Sequence, residues 1–342
     1  MIEVKNLSKR YGNHVAVKDA NFSISEGEVV GFLGPNGAGK STIMNILTGY
    51  ISLTGGSAKI GGYDIIDYPE QAKRNIGYLP EHPPLYLDMT VREYLNFIYD
   101  LKNVKFPKNP HIDEICELVN IKDVENRLIK NLSKGYKQRV GIAQALVGNP
   151  NVLILDEPTV GLDPKQIIEI RKLIAALGKH HTVIVSSHIL SEIQAVCKRI
   201  LIINNGEIVA DDTAENLSKK LSSDHTVKLR VQAPEKEVLK VLLGIRGVSD
   251  VKSLGSNEKG SVDFDIEPEE NTDIRKEIFT RMSDRKWPVL ELYTEEMSLE
   301  KIFLSLTDGS YNKSGKKSAK KDKRQLTDDD KSAVLEAVYG EE

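Results

Sequence analysis

The chain is poor in cysteine, in long apolar runs and in net charge, and each shortage excludes a class of protein. Its 342 residues contain 2 cysteines, Cys116 and Cys197, which excludes a disulfide framework and suits the cytosol. No apolar stretch approaches the roughly 18–20 residues that a membrane-spanning helix needs. The net charge of −3 argues against a general nucleic-acid surface. We also expect no signal peptide, because a strand-like segment follows Met1 at once.

What the chain does contain is a glycine-rich segment with the spacing of a phosphate-binding loop. The nine residues are Gly34, Pro35, Asn36, Gly37, Ala38, Gly39, Lys40, Ser41 and Thr42. A strand-like run precedes them and a helical apolar pattern follows. This context is the one that a phosphate-binding loop requires, whereas a glycine-rich surface turn would not require it. The glycines let backbone N–H groups approach phosphate oxygens, while Lys40 reaches the β- and γ-phosphates and Ser41 ligates Mg²⁺. The segment predicts binding of a nucleoside triphosphate.

Two buried strands are predicted further along the chain, and each ends in polar side chains. Residues 152–155 precede Asp156 and Glu157, and residues 182–185 precede a Ser-Ser pair and His188. Continuous apolar runs indicate strands of a parallel sheet, whose carboxyl edge carries the chemistry. We expect Asp156 to hold Mg²⁺ in its outer coordination sphere and Glu157 to orient or deprotonate the attacking water. His188 would hydrogen-bond the γ-phosphate or that water, although an acidic turn and a solvated histidine explain the same patterns.

These motifs resemble those of the nucleotide-binding subunits of ATP-binding-cassette (ABC) transporters, over roughly residues 1–212. Residues 132–139 (Leu-Ser-Lys-Gly-Tyr-Lys-Gln-Arg) are similar to the signature segment of that family, and residues 161–164 to the loop after its acidic pair. Tyr11 stands where the family places an aromatic ring against adenine, and an ordinary half-buried tyrosine fits that position equally well. The resemblance implies a P-loop ABC ATPase cassette of the α/β class, with an inserted helical subdomain at about 85–147.

Three positions depart from the pattern of the family. Glu81 stands where glutamine is usual, and the resemblance implies that its side chain approaches Mg²⁺ and the attacking water. We expect Glu81 to keep this contact and to make nucleotide binding depend more strongly on Mg²⁺. Lys134 and Tyr136 depart from the signature, which retains Ser133 and Gly135. Lys134 either adds charge toward phosphate or faces water, and we favour water.

The resemblance also implies partners and a place in the cell. Ser133 and Gly135 would cover the γ-phosphate of an ATP held by a second copy, in a closed head-to-tail dimer. An integral membrane permease would dock on the loop 81–87, with the chain in the cytoplasm, peripheral on the inner face of the cell membrane. The expected function is ATP hydrolysis that drives the permease, with export as the direction. The alternative is a soluble ABC ATPase acting on ribosomes or nucleic acid, but such relatives carry two cassettes, long coiled coils or zinc-ligand cysteines.

After residue 212 the pattern changes, with a polar linker at 213–224 and an accessory domain at 225–307. Alternating and helical apolar patterns predict the order β-α-β-β-α-β, a small ferredoxin-like α+β domain, with a final helix at 299–306. In this respect the chain resembles the branch of drug- and polysaccharide-export and gliding-motility-associated ATPases, which carry a C-terminal accessory domain. The charged tail 308–342 is expected to be disordered, apart from a short helix capped by Thr327. Its basic run is either solvated or drawn to anionic lipid.

Overall fold

A computed structural model describes residues 1–221, 226–256, 258, 260–269 and 272–295. The strands up to residue 213 are β1 (Ile2–Tyr11), β2 (His14–Ile24), β3 (Val29–Leu33), β4 (Gly55–Ile60), β5 (Tyr63–Asp64), β6 (Ile76–Leu79), β7 (Val152–Asp156), β8 (Thr182–Ser187), β9 (Arg199–Asn204) and β10 (Glu207–Thr213). The α-helices up to residue 221 are α1 (Lys40–Leu47), α2 (Pro69–Arg74), α3 (Val91–Leu101), α4 (Lys108–Leu118), α5 (Lys134–Leu146), α6 (Pro164–Leu177), α7 (Leu190–Gln194) and α8 (Ala214–Leu221).

The central sheet has the strand order β10-β9-β3-β8-β7-β6, and its strands run parallel except for the antiparallel β10. Every residue of β7 and of β8 is buried, as their continuous apolar runs predict for strands covered on both faces. Because β3, β8 and β7 are neighbours, the segments that follow them emerge at one edge of the sheet. The predicted α/β fold with a parallel sheet is confirmed.

A second, antiparallel sheet has the order β2-β1-β4-β5. Ile2 in β1 pairs with Ile24 in β2 and with Ile60 in β4, and all three side chains are buried. They belong to one apolar cluster with Ile43 of α1 and Ile154 of the central sheet. Helix α1, which follows the phosphate-binding motif, is therefore fixed by the core that the two sheets share.

Helices α3, α4 and α5 form within the region 85–147 that the sequence predicts to be helical. Thr90 caps α3 through a capping box with Glu93, since each side chain accepts a hydrogen bond from the other residue's backbone N–H. The sequence places a helix break at both Pro107 and Pro110, but only Pro107 precedes a helix. Pro110 lies in the first turn of α4, where a proline removes no intrahelical hydrogen bond.

The elements after residue 225 are β11 (Thr226–Val231), α9 (Glu235–Leu243), β12 (Val248–Gly255), β13 (Val262–Pro268), α10 (Arg275–Asp284) and β14 (Val289–Glu295). Their order is the predicted β-α-β-β-α-β, and the strands form an antiparallel sheet β12-β13-β11-β14 around an apolar cluster of their own. The proposed bounds of the domains stay a prediction. The predicted helix at 299–306 and the charged tail lie outside the described residues. Among the described helices, none has both the length and the apolar character needed to cross a membrane.

Candidate active site

A cavity of about 650 Å³ opens where the segments after β3, β6, β7 and β8 meet. The predicted site residues that line it are Tyr11, Asn36, Gly37, Gly39, Lys40, Ser41, Thr42, Glu81, Glu157 and His188. Sequence reasoning missed three others, His14, Ala16 and Val160, which border the same space. His14 and Ala16 belong to β2, and no local pattern distinguishes them from other residues of a half-exposed strand. The structure thus gathers residues that are spread over most of the first 188 positions.

Glycine is required at two positions of the phosphate-binding motif. Gly39 has a φ of 110°, and a Cβ atom there would lie 2.7 Å from the carbonyl oxygen of Ala16. A Cβ atom on Gly34 would lie 2.4 Å from the carbonyl oxygen of Ile203. Gly39 supplies a left-handed backbone conformation, and Gly34 allows a close approach to β9. Both glycines therefore allow the loop to lie close to β2 and β9.

Lys40 is the cation at the centre of the cavity. It is 6% exposed, and its Nζ donates to the carbonyl oxygens of Gly34 at 2.7 Å and Pro35 at 3.2 Å. The same Nζ lies 3.6 Å from Oε1 of Glu157. Burial lowers the pKa of Lys40, and the negative charges of Glu157, Asp156 and Glu81 oppose that shift. Three carboxylates therefore act on one ammonium group, and an anionic ligand entering the cavity meets their combined charge.

Glu157 has an uncommon backbone for a residue with a side chain. Its φ is +48°, and its carboxylate is buried beside the ring of His188, with Nδ1 3.1 Å from Oε1 and 3.0 Å from Oε2. The backbone N–H of Glu157 donates to Oγ of Ser186 at 2.9 Å, and that hydroxyl donates in turn to Asp156. Ser186 in β8 therefore contacts both Asp156, which ends β7, and Glu157, which follows it.

The oxygen atoms near Lys40 suit a hard divalent cation. Ser41, Glu81 and Asp156 border a second cavity, of about 770 Å³, which shares Ser41 and Glu81 with the first one. Hydroxyl and carboxylate oxygens are the ligands that Mg²⁺ prefers, and it commonly uses one or two carboxylates together with phosphate oxygens. The donor set fits the cation that the sequence predicts, with Ser41 at the junction of the two spaces.

Ser133 and Gly135 do not line the cavity that holds Lys40. Ser133 is exposed and caps the amino end of α5, where its hydroxyl accepts from the N–H of Tyr136 at 3.4 Å. Tyr136 itself donates from its hydroxyl group to Asp123 at 2.9 Å. The ammonium of the exposed Lys134 lies over Gly161, where it occupies the space that a Cβ atom would fill. The signature segment is thus a separate surface of this chain, anchored by its neighbours.

Comparison with known proteins agrees with a nucleotide-binding site in this cavity. A family profile described as ABC transporter matches residues 17–160. The linearmycin resistance ATP-binding protein LnrL of Bacillus subtilis is 33% identical over 90% of this chain and 98% of its own length. The bacitracin transport ATP-binding protein BcrA of Bacillus licheniformis is 39% identical over 64% of this chain and 72% of its own length.

A solved structure extends the likeness to the fold. It is the dimeric structure of a post-hydrolysis state of an ATP-binding cassette bound to ADP and Pi, with a TM-score of 0.57 and 27% sequence identity. The match covers 62% of this chain and 98% of that chain. The matched share of this chain is similar in size to the predicted cassette 1–212, and the α/β cassette fold is common to both.

Proposed function

The chain belongs to the family of ABC transporter ATP-binding proteins, and from that premise we propose that two copies of it form a head-to-tail dimer that powers a separate membrane permease. It is an ATPase whose hydrolysis of ATP is coupled to transport. The observation that carries the proposal is the meeting of Lys40, Glu157 and His188 around one cavity while Ser133 lies elsewhere. Each copy thus supplies the phosphate-binding half of its own site, and its signature segment completes the site of the other copy.

Each residue that lines the cavity takes a definite role in the proposed site. Glycine N–H groups and the amino end of α1 hold the phosphates, and Lys40 turns from the loop carbonyls to the β- and γ-phosphates. Glu157 orients or deprotonates the attacking water, and His188 supports that carboxylate and reaches toward the γ-phosphate. Tyr11, at the rim of the cavity, stacks on adenine. Mg²⁺, bound through Ser41 with Asp156 and Glu81 nearby, would neutralise phosphate charge.

The dimer follows from the position of the signature segment. Ser133 caps the amino end of α5, a helix of 13 residues, and the amino end of such a helix favours an anion. Because Ser133 is exposed and outside the cavity of its own chain, a two-fold head-to-tail arrangement brings it to the ATP of the other copy. The similar cassette structure that holds ADP and Pi is dimeric, which supports this assembly.

The permease is proposed to dock on the loop 81–87, which lies beside the cavity of about 770 Å³. Tyr86 is 50% exposed and Leu87 48% exposed, so this loop offers apolar surface next to Pro80 and Pro84 of the cavity wall. Docking there places the chain on the cytoplasmic face of a membrane. Relatives named for bacitracin transport and linearmycin resistance support export as the direction.

The test uses Glu157→Gln with Mg-ATP as bait in a pull-down from detergent-solubilised membranes of the source cells. This variant keeps Lys40 and the loop, so it should bind ATP, turn over very slowly and accumulate as a dimer. Lys40→Ala is the matched control, because it should not hold the nucleotide that closes the dimer. Recovery of one polytopic membrane protein with Glu157→Gln and not with Lys40→Ala supports the proposal. Recovery of ribosomes or nucleic acid without a membrane protein would replace it with the soluble alternative.

A further inference from the structure

Glu192 is a buried carboxylate outside the set of residues that line the nucleotide cavity. It lies in α7, is 9% exposed, and accepts two hydrogen bonds on the same oxygen atom. Oε2 of Glu192 accepts from Oγ1 of Thr159 at 2.5 Å and from Oγ of Ser187 at 3.1 Å. A buried carboxylate needs such partners, since burying an unpaired charge is strongly unfavourable. Two hydrogen bonds thus hold the Glu192 carboxylate in place, although Glu192 has no direct role in the proposed reaction.

The two hydroxyl groups belong to the segments that carry the proposed catalytic pair. Thr159 comes two residues after Glu157 and is 5% exposed, and Ser187 directly precedes His188 and is 1% exposed. Ser187 Oγ also accepts from the backbone N–H of Ile189 at 3.0 Å, which fixes the turn on the far side of His188. One oxygen atom of Glu192 therefore joins the segment after β7 to the segment after β8.

Glu157 has a particular need for such support. Its φ of +48° lies in the left-handed region, which residues other than glycine adopt at an energetic cost and only where the surroundings enforce it. Ser186 fixes the N–H of Glu157 from the strand side. On the other side, the hydrogen bond from Thr159 to Glu192 holds the chain that leaves Glu157. Loss of this bond would remove the side-chain anchor of Thr159, while the backbone turn from Val160 N–H to the Glu157 carbonyl oxygen at 3.2 Å would remain.

We propose that Glu192 is a positioning residue that sets the contact between Glu157 and His188 through Thr159 and Ser187. This inference rests on the proposed function, because it concerns the rate of the reaction assigned to that pair. Glu192 has no contact with the cavity, so its loss should act on turnover and leave the binding of ATP by Lys40 and the loop in place. The carboxylate charge itself is not required, only an oxygen acceptor at that point.

The test compares Glu192→Ala with Glu192→Gln in steady-state hydrolysis and in equilibrium ATP binding. Glu192→Ala should lower kcat by roughly tenfold or more while the Kd for ATP stays within about threefold, since misplacement by 1 Å can cost about a hundredfold in rate. Glu192→Gln keeps an oxygen acceptor and should recover most of the lost rate. Thr159→Val and Ser187→Ala remove one hydroxyl donor each with little change in shape, and each should reproduce part of the loss in kcat.

Thr182→Val is the control for a purely structural effect. Thr182 lies at the opposite end of β8, is 1% exposed, and its Oγ1 accepts from the N–H of Gly27 at 3.0 Å. Thr182→Val should lower the stability of the protein and leave kcat unchanged. If Thr182→Val and Glu192→Ala lower Tm and kcat alike, or if Glu192→Gln gives no recovery, the positioning role is wrong. Glu157→Gln, measured alongside, separates the proposals: normal turnover there overturns the catalytic role that the proposed function gives to Glu157, whereas an inactive Glu157→Gln with an unaffected Glu192→Ala overturns only this inference.

Discussion

Nδ1 of His188 lies 3.0 Å from Oε2 and 3.1 Å from Oε1 of Glu157, although 31 positions separate the two residues in the chain. The carboxylate is buried, whereas the His188 side chain is 39% exposed and lines the nucleotide cavity. The more exposed histidine ring therefore lines the same cavity as the buried carboxylate that it contacts. A ring in this position can hold the carboxylate in place and still contact a phosphate or a water molecule.

From this contact we predict that His188→Ala lowers turnover by roughly 10²-fold, within the range for removal of a group that assists proton transfer. ATP binding should change little, because Lys40 and the loop glycines remain. Paired measurements of kcat and of the Kd for ATP test this. His180→Ala is the control, since His180 follows α6 and does not line the cavity. A kcat equal to that of the unchanged protein would contradict the role of His188.

Lys40→Ala should abolish measurable ATP binding. The substitution removes the ammonium group that offsets the charge of Glu157, Asp156 and Glu81, so these carboxylates repel the phosphates more strongly. Titration with a fluorescent ATP analogue measures the loss. Lys59→Ala, at an exposed position of β4, should bind as the unchanged protein does. Normal affinity in Lys40→Ala would show that the loop binds phosphate without this lysine.

Glu81→Gln should weaken the dependence of nucleotide binding on Mg²⁺. Glu81 lines the cavity and lies close enough to Lys40 to influence its pKa, so its charge opposes ATP that carries no metal. The measurement is the ratio of ATP affinities with Mg²⁺ and with a chelator, which should shrink by several-fold in the variant. Glu70→Gln, in the first turn of α2, is a matched change of charge outside the cavity. An unchanged ratio together with unchanged turnover would make Glu81 a loop residue only.

Ser133→Ala should impair turnover more than it impairs ATP binding by the single chain. Ser133 is the amino-terminal cap of α5 and lies outside the cavity, so its loss affects the cover supplied to the other copy. Removing a cap also costs about 1 kcal/mol of stability. Thr90→Ala removes the cap of α3 and is the matched control, since it should cost similar stability with no effect on turnover. Equal losses of binding and turnover in Ser133→Ala would undermine the cross-subunit site.

The end of α5 should make stability depend on pH through His111. The N–H of Gly148 donates to Nε2 of His111 at 3.0 Å, which requires the neutral ring. Burial lowers the pKa of His111 from its ordinary 6.5, with the charge of Glu114 opposing and that of Lys102 assisting the shift. A depressed pKa means that this contribution is complete above pH 6.5 and is lost as the pH falls through the lower folded-state value.

Denaturant midpoints measured from about pH 8 to about pH 5 test the role of His111. His111→Gln keeps an acceptor that does not titrate, so its midpoint should fall less on acidification than that of the unchanged protein. His82→Gln, at an exposed histidine, should behave as the unchanged protein does. If His111→Gln follows the pH dependence of the unchanged protein, another group is responsible for the loss in acid.

Local pattern was sufficient for the parts of this protein whose structure depends on neighbours in the chain. Glycine spacing identified the phosphate-binding motif, because φ angles and close approaches fix which residues a tight loop accepts. Continuous apolar runs identified β7 and β8, and alternation identified the order of elements after residue 225. Pro110 shows the limit of such rules, because its effect depends on its place relative to the start of α4, and the sequence does not fix that place.

Only the tertiary structure decided which of these pieces meet. The order β3-β8-β7 brings Glu157 beside His188 and places the hydroxyl group of Ser186 within hydrogen-bond distance of Asp156 and of the Glu157 backbone N–H. Strand order is a long-range property that no local spacing encodes. The same pairing aims Thr159 and Ser187 at Glu192, a residue that in sequence is one more acid on a short helix. The sequence determined the chemical groups of the site, and the packing of the sheet, driven by burial of its apolar strands, determined their geometry.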